Sequence, residues 1–183
     1  MQWVFEKATQ IRLVVFDVDG VLTDGSLYLD DEGKEYKAFY ARDGLGMTML
    51  QKTGVIIGII TARRSKVVTH RMQDINVQHV YQGQADKLLA LKQLCDKLSL
   101  TPQQLAYVGD DLNDVPVMQQ VGLAIAVADA HPLVIKQAHW QTQAAGGRGA
   151  AREICELIMQ AQGTLAEQLN SYGIESGELV SMT

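Results

Sequence analysis

A chain of 183 residues, 47% hydrophobic and 20% charged, has enough apolar side chains for one folded domain and little length left for a second. Sixteen Lys plus Arg against twenty-one Asp plus Glu give a net charge of −5, which argues against nucleic-acid binding through neutralised phosphates. No apolar run, Val55 to Ile60 among them, approaches the ~20 residues of a spanning helix. Met1 to Lys7 does not read as a signal peptide, so the expectation is a soluble, cytoplasmic protein.

Taken along the chain, Ile11 to Phe16 is a β-branched and aromatic run that reads as a buried strand ending abruptly at Asp17. Asp24 to Tyr40 holds two short alternating runs, Ser26 to Leu29 and Glu35 to Tyr40, around Asp30-Asp31-Glu32-Gly33-Lys34. That pattern predicts a β-hairpin, which in isolation is marginal in water and needs a surface to pack on. Gly44 to Thr53 reads as a helix, Val55 to Ile60 as a strand, and Ser65 to Gln73 as a helix. His79 to Tyr81 is a weaker strand, and Ala85 to Leu98 is a helix carrying Cys95. Thr101-Pro102-Gln103-Gln104 has the capping residue, proline and glutamine of a short helical turn. Leu105 to Val108 and Leu123 to Val127 are further strands, with Val115 to Val121 helical between them. Cys95 and Cys155 lie in apolar periodic segments with no CxxC spacing and read as reduced core thiols. The four histidines are scattered singly, which disfavours a His-based zinc site. The tail from Gly163 to Thr183 is polar and predicted to be partly disordered, leaving one domain over residues 1–162.

Strands alternating with helices predict an α/β fold, a doubly wound parallel sheet of Rossmann type with the hairpin as an insertion. Ligands of such sheets bind outside the carboxyl ends of the strands. The residues there are Asp17-Val18-Asp19-Gly20-Val21, Thr61, and Gly109-Asp110-Asp111-Leu112-Asn113-Asp114. Two carboxylates at i and i+2 repel unless a cation or a shared proton intervenes. Asp17, Asp19 and Asp110 together form an all-oxygen set suited to Mg²⁺. Asp111 and Asp114 are open to two readings: carboxylates that orient the ligands from behind, or acids at a helix N-terminus. Thr61 and Lys87 supply a hydroxyl and an ammonium of the kind a phosphoryl group needs.

In this order the motifs resemble the haloacid dehalogenase superfamily over about residues 11 to 161. The resemblance implies Asp17 as the nucleophile that becomes an aspartyl-phosphate and Asp19 as general acid, then base. It implies Thr61 and Lys87 as holders of the phosphoryl group, with Mg²⁺ on Asp17, the Asp19 carbonyl and Asp110. Neither interval between motifs has room for a cap domain. With the strings Phe16 to Gly25, Arg42-Asp43-Gly44, Ile60-Thr61-Ala62-Arg63, Tyr81-Gln82-Gly83, Val127 to Pro132 and Ala145 to Glu153, the chain is similar to the capless 3-deoxy-D-manno-octulosonate 8-phosphate phosphatases of lipopolysaccharide biosynthesis. That subfamily implies a homotetramer built through the 24–40 hairpin. It also implies a sugar-acid phosphate pocket of Asp19, Tyr40, Ala41, Arg42, Asp43, Gly44, Thr48, Arg63, Arg71 and Lys87. Arginine forks among these suit a substrate carboxylate. Three other readings stay open: a phosphatase of a nine-carbon sialic-type acid 9-phosphate, a non-catalytic phospho-receiver, and a tetramerising scaffold domain.

Overall fold

Six parallel strands make the sheet, and its order places the first strand in the middle. The computed structural model describes residues 1–174. Helix α1 (Gln2–Ala8) leads into β1 (Leu13–Phe16), all four of whose residues are buried. The hairpin follows as β2 (Tyr28–Leu29) and β3 (Glu35–Tyr36), then α2 (Ala41–Lys52), β4 (Ile56–Thr61), α3 (Lys66–Asp74) and β5 (His79–Gln82). After α4 (Lys87–Leu98) the chain crosses back to β6 (Leu105–Gly109), then runs through the short α5 (Val115–Met118) to β7 (Leu123–Ala126). The helix read over Val115 to Val121 stops early because Gln119 to Gly122 must turn the chain into β7.

Sheet order is β5-β4-β1-β6-β7 and, at the far edge, β8 (Trp140–Gln141) after α6 (Pro132–Ile135). Growth runs one way from β1 through β4 to β5 and then restarts on its other side with β6. The crevice between β1 and β6 is therefore the switch point where doubly wound sheets bind ligands. The parallel ladders pair Phe16 with Ile59 and with Val108. That register brings the ends of β1, β4 and β6 level, so Asp17, Thr61 and Asp110 emerge at one edge.

One contiguous apolar core runs through both sides of the sheet, from Val4 to Leu165. Helices α2 and α7 (Ala150–Ala161) pack on each other with α1 against α7, while α4 packs against β4 and α5. Gly58 is the contact point for α4. A Cβ there would lie 3.1 Å from Leu94.

The region read as a tail departs from expectation in its first part. Leu165–Asn170 form α8, which packs on α7 with Leu165 and Gln168 buried. Leu165 and Leu169 seat this short helix, and the core thus extends past residue 162. Residues 175–183 lie outside the described part.

Candidate active site

Asp17 leaves β1 buried, and its two oxygens are already engaged. Oδ1 accepts the Val18 amide at 2.7 Å, and Oδ2 accepts Lys87 Nζ at 2.7 Å. Lys87 is the first residue of α4, whose start is fixed by Asp86 accepting the Leu89 amide. Its ammonium reaches Asp114 Oδ1 as well, also at 2.7 Å. Burial alone would lower the Lys87 pKa, but the Asp17 and Asp114 carboxylates together hold it above its ordinary value.

Asp114 has no exposed surface and four donors. Oδ1 takes Lys87 Nζ and the Tyr107 hydroxyl at 2.6 Å, while Oδ2 takes the amides of Asp110 at 3.0 Å and Asp111 at 3.2 Å. Four donors occupy the lone-pair sites of a carboxylate. Asp114 therefore fixes the turn after β6 and holds Lys87, and has little capacity left for a metal ion. Asp111 is exposed, and its Oδ1 caps the Leu112 amide at 2.8 Å, so of its two readings the helix-terminal one describes its side chain.

Asp110 differs from both. Its Oδ1 is buried without a hydrogen-bond partner among the described residues. Burial first, then repulsion from Asp114 and Asp17, pushes its pKa up to about 8. The same causes, burial and then Asp114, push Asp17 up to about 6 against the pull of Lys87. Carboxylate oxygens of Asp17, Asp110 and Asp114 lie within 4.8 Å of one another. Three carboxylates against one ammonium leave two uncompensated negative charges around an orphaned oxygen, and a divalent cation fits that donor set. Gly20 makes room for the Asp110 carboxylate. Its φ is +90°, and a Cβ would sit 2.0 Å from Asp110 Oδ2.

The Asp19 side chain turns away from this cluster. Its Oδ1 accepts from Lys37 Nζ, and Arg63 Nε lies 3.8 Å from Oδ2. Glu35 closes a ring, with Lys37 at 3.2 Å and Arg63 Nη2 at 2.9 Å. Burial works against the Glu35 charge, but its hydrogen-bond donors, Lys37 and Arg63 among them, hold its pKa below the ordinary range. Two acids and two bases make this second group neutral on its own. Thr61 is buried at the end of β4, and its carbonyl accepts the Gln84 amide at 3.0 Å, which ties the β4 turn to the segment leading into α4.

The expected sugar pocket is brought together only in part. Tyr40, Gly44 and Arg71 line one small recess with Leu22, and a Cβ at Gly44 would meet Arg71 Nη2 at 2.0 Å. Asp43 also borders it, but the residue is only 3% exposed and its carboxylate serves α7 instead, accepting the Gly149 and Arg152 amides at 3.4 and 2.9 Å. Burial raises its pKa against those bonds. Thr48 Oγ1 donates to the Gly44 carbonyl of its own helix, Ala41 is exposed, and Arg42 lies over the outer face of the Tyr40 ring. The glycine loop reaches the site from the other side. Gly147 donates to the Val21 carbonyl, and Gly146 donates to Asp129 Oδ1 at 2.9 Å, with no space for a Cβ beside Gly20.

Lys37, Glu35 and Tyr107 were not singled out from sequence. The first two sit in a hairpin whose charges look solvated, and Tyr107 is one apolar-strand residue among several.

Comparison with known proteins gives the family. The family model for haloacid dehalogenase-like hydrolases matches residues 65–154. The 3-deoxy-D-manno-octulosonate 8-phosphate phosphatase of Escherichia coli K12 is 51% identical over 164 residues, 90% of this chain and 87% of that protein. A crystal structure of the phosphatase of that name from Moraxella catarrhalis, in complex with magnesium ion, phosphate ion and KDO, has a TM-score of 0.92 at 40% identity, covering 94% of this chain and 99% of that one. A probable phosphatase from Pseudomonas syringae has a TM-score of 0.94 at 46% identity, over 95% and 99% of the two chains.

Proposed function

The chain belongs to the haloacid dehalogenase-like hydrolases, and we propose that it hydrolyses 3-deoxy-D-manno-octulosonate 8-phosphate to the sugar acid and phosphate. The carrying observation is the buried Asp17–Lys87–Asp114 chain beside the unpartnered Asp110 oxygen, at the sheet's switch point. The choice of sugar acid rests on the 51% identity to the E. coli enzyme.

Asp17 attacks phosphorus, and Lys87 keeps its carboxylate aimed and ionised. As the new oxygen–phosphorus bond forms, the ester bond breaks with its electron pair on the leaving oxygen, which takes a proton from Asp19. Water then attacks the aspartyl-phosphate and gives its proton to Asp19, and inorganic phosphate leaves. Thr61 and Lys87 donate to the phosphoryl oxygens. Asp17, the Asp19 carbonyl and Asp110 would hold Mg²⁺, which supplies positive charge against the nucleophile and the phosphate.

Arg63 and Arg71 are the cations available to the sugar-acid carboxylate, with Tyr40 and Gly44 beside Arg71. Leu27, Tyr28, Leu29 and Tyr36 are exposed on a hairpin with only two residues in each strand, which supports assembly through residues 24–40 into a homotetramer. No described helix is long and apolar enough to cross a membrane, and a cytoplasmic site of action fits the proposed reaction. A phosphate-release screen over sugar phosphates with Mg²⁺ tests this reading. The eight-carbon ester turns over best if it holds, and preference for a nine-carbon 9-phosphate overturns the substrate.

A further inference from the structure

The hairpin's role in assembly does not explain why two of its charged residues are turned into the site. Lys37, just past β3, has a side chain only 1% exposed. A lysine so withdrawn from water needs close anionic partners, and it has two, Asp19 and Glu35. Glu35 in turn holds Arg63, whose side chain is 46% exposed. The ring therefore joins three segments: the turn after β1, the hairpin and the turn after β4. Its two bonds to Asp19 are unequal. Lys37 donates to Oδ1, whereas Arg63 Nε stands 3.8 Å from Oδ2, beyond hydrogen-bond reach. One oxygen of the carboxylate is pinned and the other is left for chemistry.

We propose that Lys37 is a positioning residue for the reaction: by holding Asp19 Oδ1, it aims Oδ2 at the leaving-group oxygen of the bound ester. Glu35 supports it by fixing the ammonium from the opposite side. The inference rests on the reading of Asp19 as general acid. It makes the hairpin part of the catalytic apparatus within each subunit, whatever its role between subunits. A purely mechanical clamp would use the same bonds, so the test must see proton donation and not only folding.

The kcat/KM values of three esters separate the cases, because kcat/KM covers the steps up to loss of the alcohol. The octulosonate 8-phosphate and arabinose 5-phosphate leave as alkoxides and need a proton. p-Nitrophenyl phosphate leaves as a stable phenolate and does not. A positioned general acid contributes roughly 10²–10⁴-fold, so Lys37→Met is expected to lower kcat/KM for both alkyl esters about tenfold or more relative to the aryl ester. The loss falls in kcat, and Lys37→Arg restores most of it. Asp19→Asn shows the same split, larger. Glu35→Gln, which leaves Lys37 in place, shows a smaller split of the same sign and carries the test should Lys37→Met fail to fold. Equal losses on all three esters overturn the proposal in favour of a clamp. A loss confined to the carboxylate-bearing ester overturns it in favour of substrate binding. Should Asp19→Asn itself show no split, the acid assignment falls and the proposal with it; a split in Asp19→Asn but none in Lys37→Met or Glu35→Gln sinks the proposal alone.

Discussion

Replacing Asp114 with Asn changes one oxygen to an amide nitrogen at a site with four donors and no exposed surface. The amide oxygen can face either Lys87 and Tyr107 or the amides of Asp110 and Asp111. Whichever it chooses, two donors point at an NH₂ group. Each buried donor left unpaired costs about 1–3 kcal/mol, and Lys87 also loses one of its two anionic partners. Breaking a buried ion pair by removing one member costs about 3–5 kcal/mol, and we take that range for the whole effect. At ~2–4 °C per kcal/mol for a domain of this size, the unfolding midpoint should fall by about 10 °C. Asp111→Asn is the control, since it touches one exposed cap and should cost no more than ~1 kcal/mol. Thermal unfolding followed by circular dichroism, with Mg²⁺ and with EDTA, measures both. A midpoint within 2 °C or so of wild type for Asp114→Asn would refute the claim that this carboxylate holds the turn after β6.

Three further outcomes follow from the same geometry. Asp17 and Asp110 have pKa values raised to about 6 and about 8, so each is more easily protonated folded than unfolded. Their contribution to stability is then full below pH ~4 and lost as pH rises through those values. In EDTA the urea midpoint should therefore lag that with Mg²⁺ by a margin that widens from pH 5 to pH 8; a constant margin would contradict it. Gly20→Ala places a Cβ 2.0 Å from Asp110 Oδ2 at a φ of +90°, so it should displace Asp110 and weaken Mg²⁺ binding, read by calorimetric titration; unchanged affinity counts against Asp110 as a ligand. Serine at Leu27, Tyr28, Leu29 and Tyr36 together should give a smaller particle in sedimentation velocity than wild type, and an unchanged coefficient removes the hairpin's role in assembly.

Much of this was legible because the chemistry sits where strands end. The runs before Asp17, Thr61 and Asp110 announce themselves as buried strands, and parallel pairing of β1 with β4 and β6 follows from the alternation with helices. Helix α7 has no start signal in its own sequence, although Ala150, Ala151, Ile154, Cys155 and Ile158 are buried at helical spacing. Its start signal is not local. Gly149 lacks a capping side chain, and the cap is Asp43, supplied by the first turn of α2. That assignment also redirects Asp43, which the resemblance places in the sugar pocket. Asp111 and Asp114 look alike in sequence and differ only by where one turn of backbone points them. The Asp19–Lys37–Glu35–Arg63 ring depends on how the hairpin folds back over the sheet edge, which alternation within the hairpin cannot say.

The central claim is that Asp17 is the nucleophile of a Mg²⁺-dependent sugar-acid phosphatase. Phosphate release from 3-deoxy-D-manno-octulosonate 8-phosphate by wild type and Asp17→Asn, with near-ultraviolet circular dichroism to confirm the fold, tests it most directly. The account predicts Mg²⁺-dependent turnover by wild type and a loss of at least ~10³-fold in the variant. Comparable turnover in Asp17→Asn, or none in wild type with Mg²⁺ present, would contradict it.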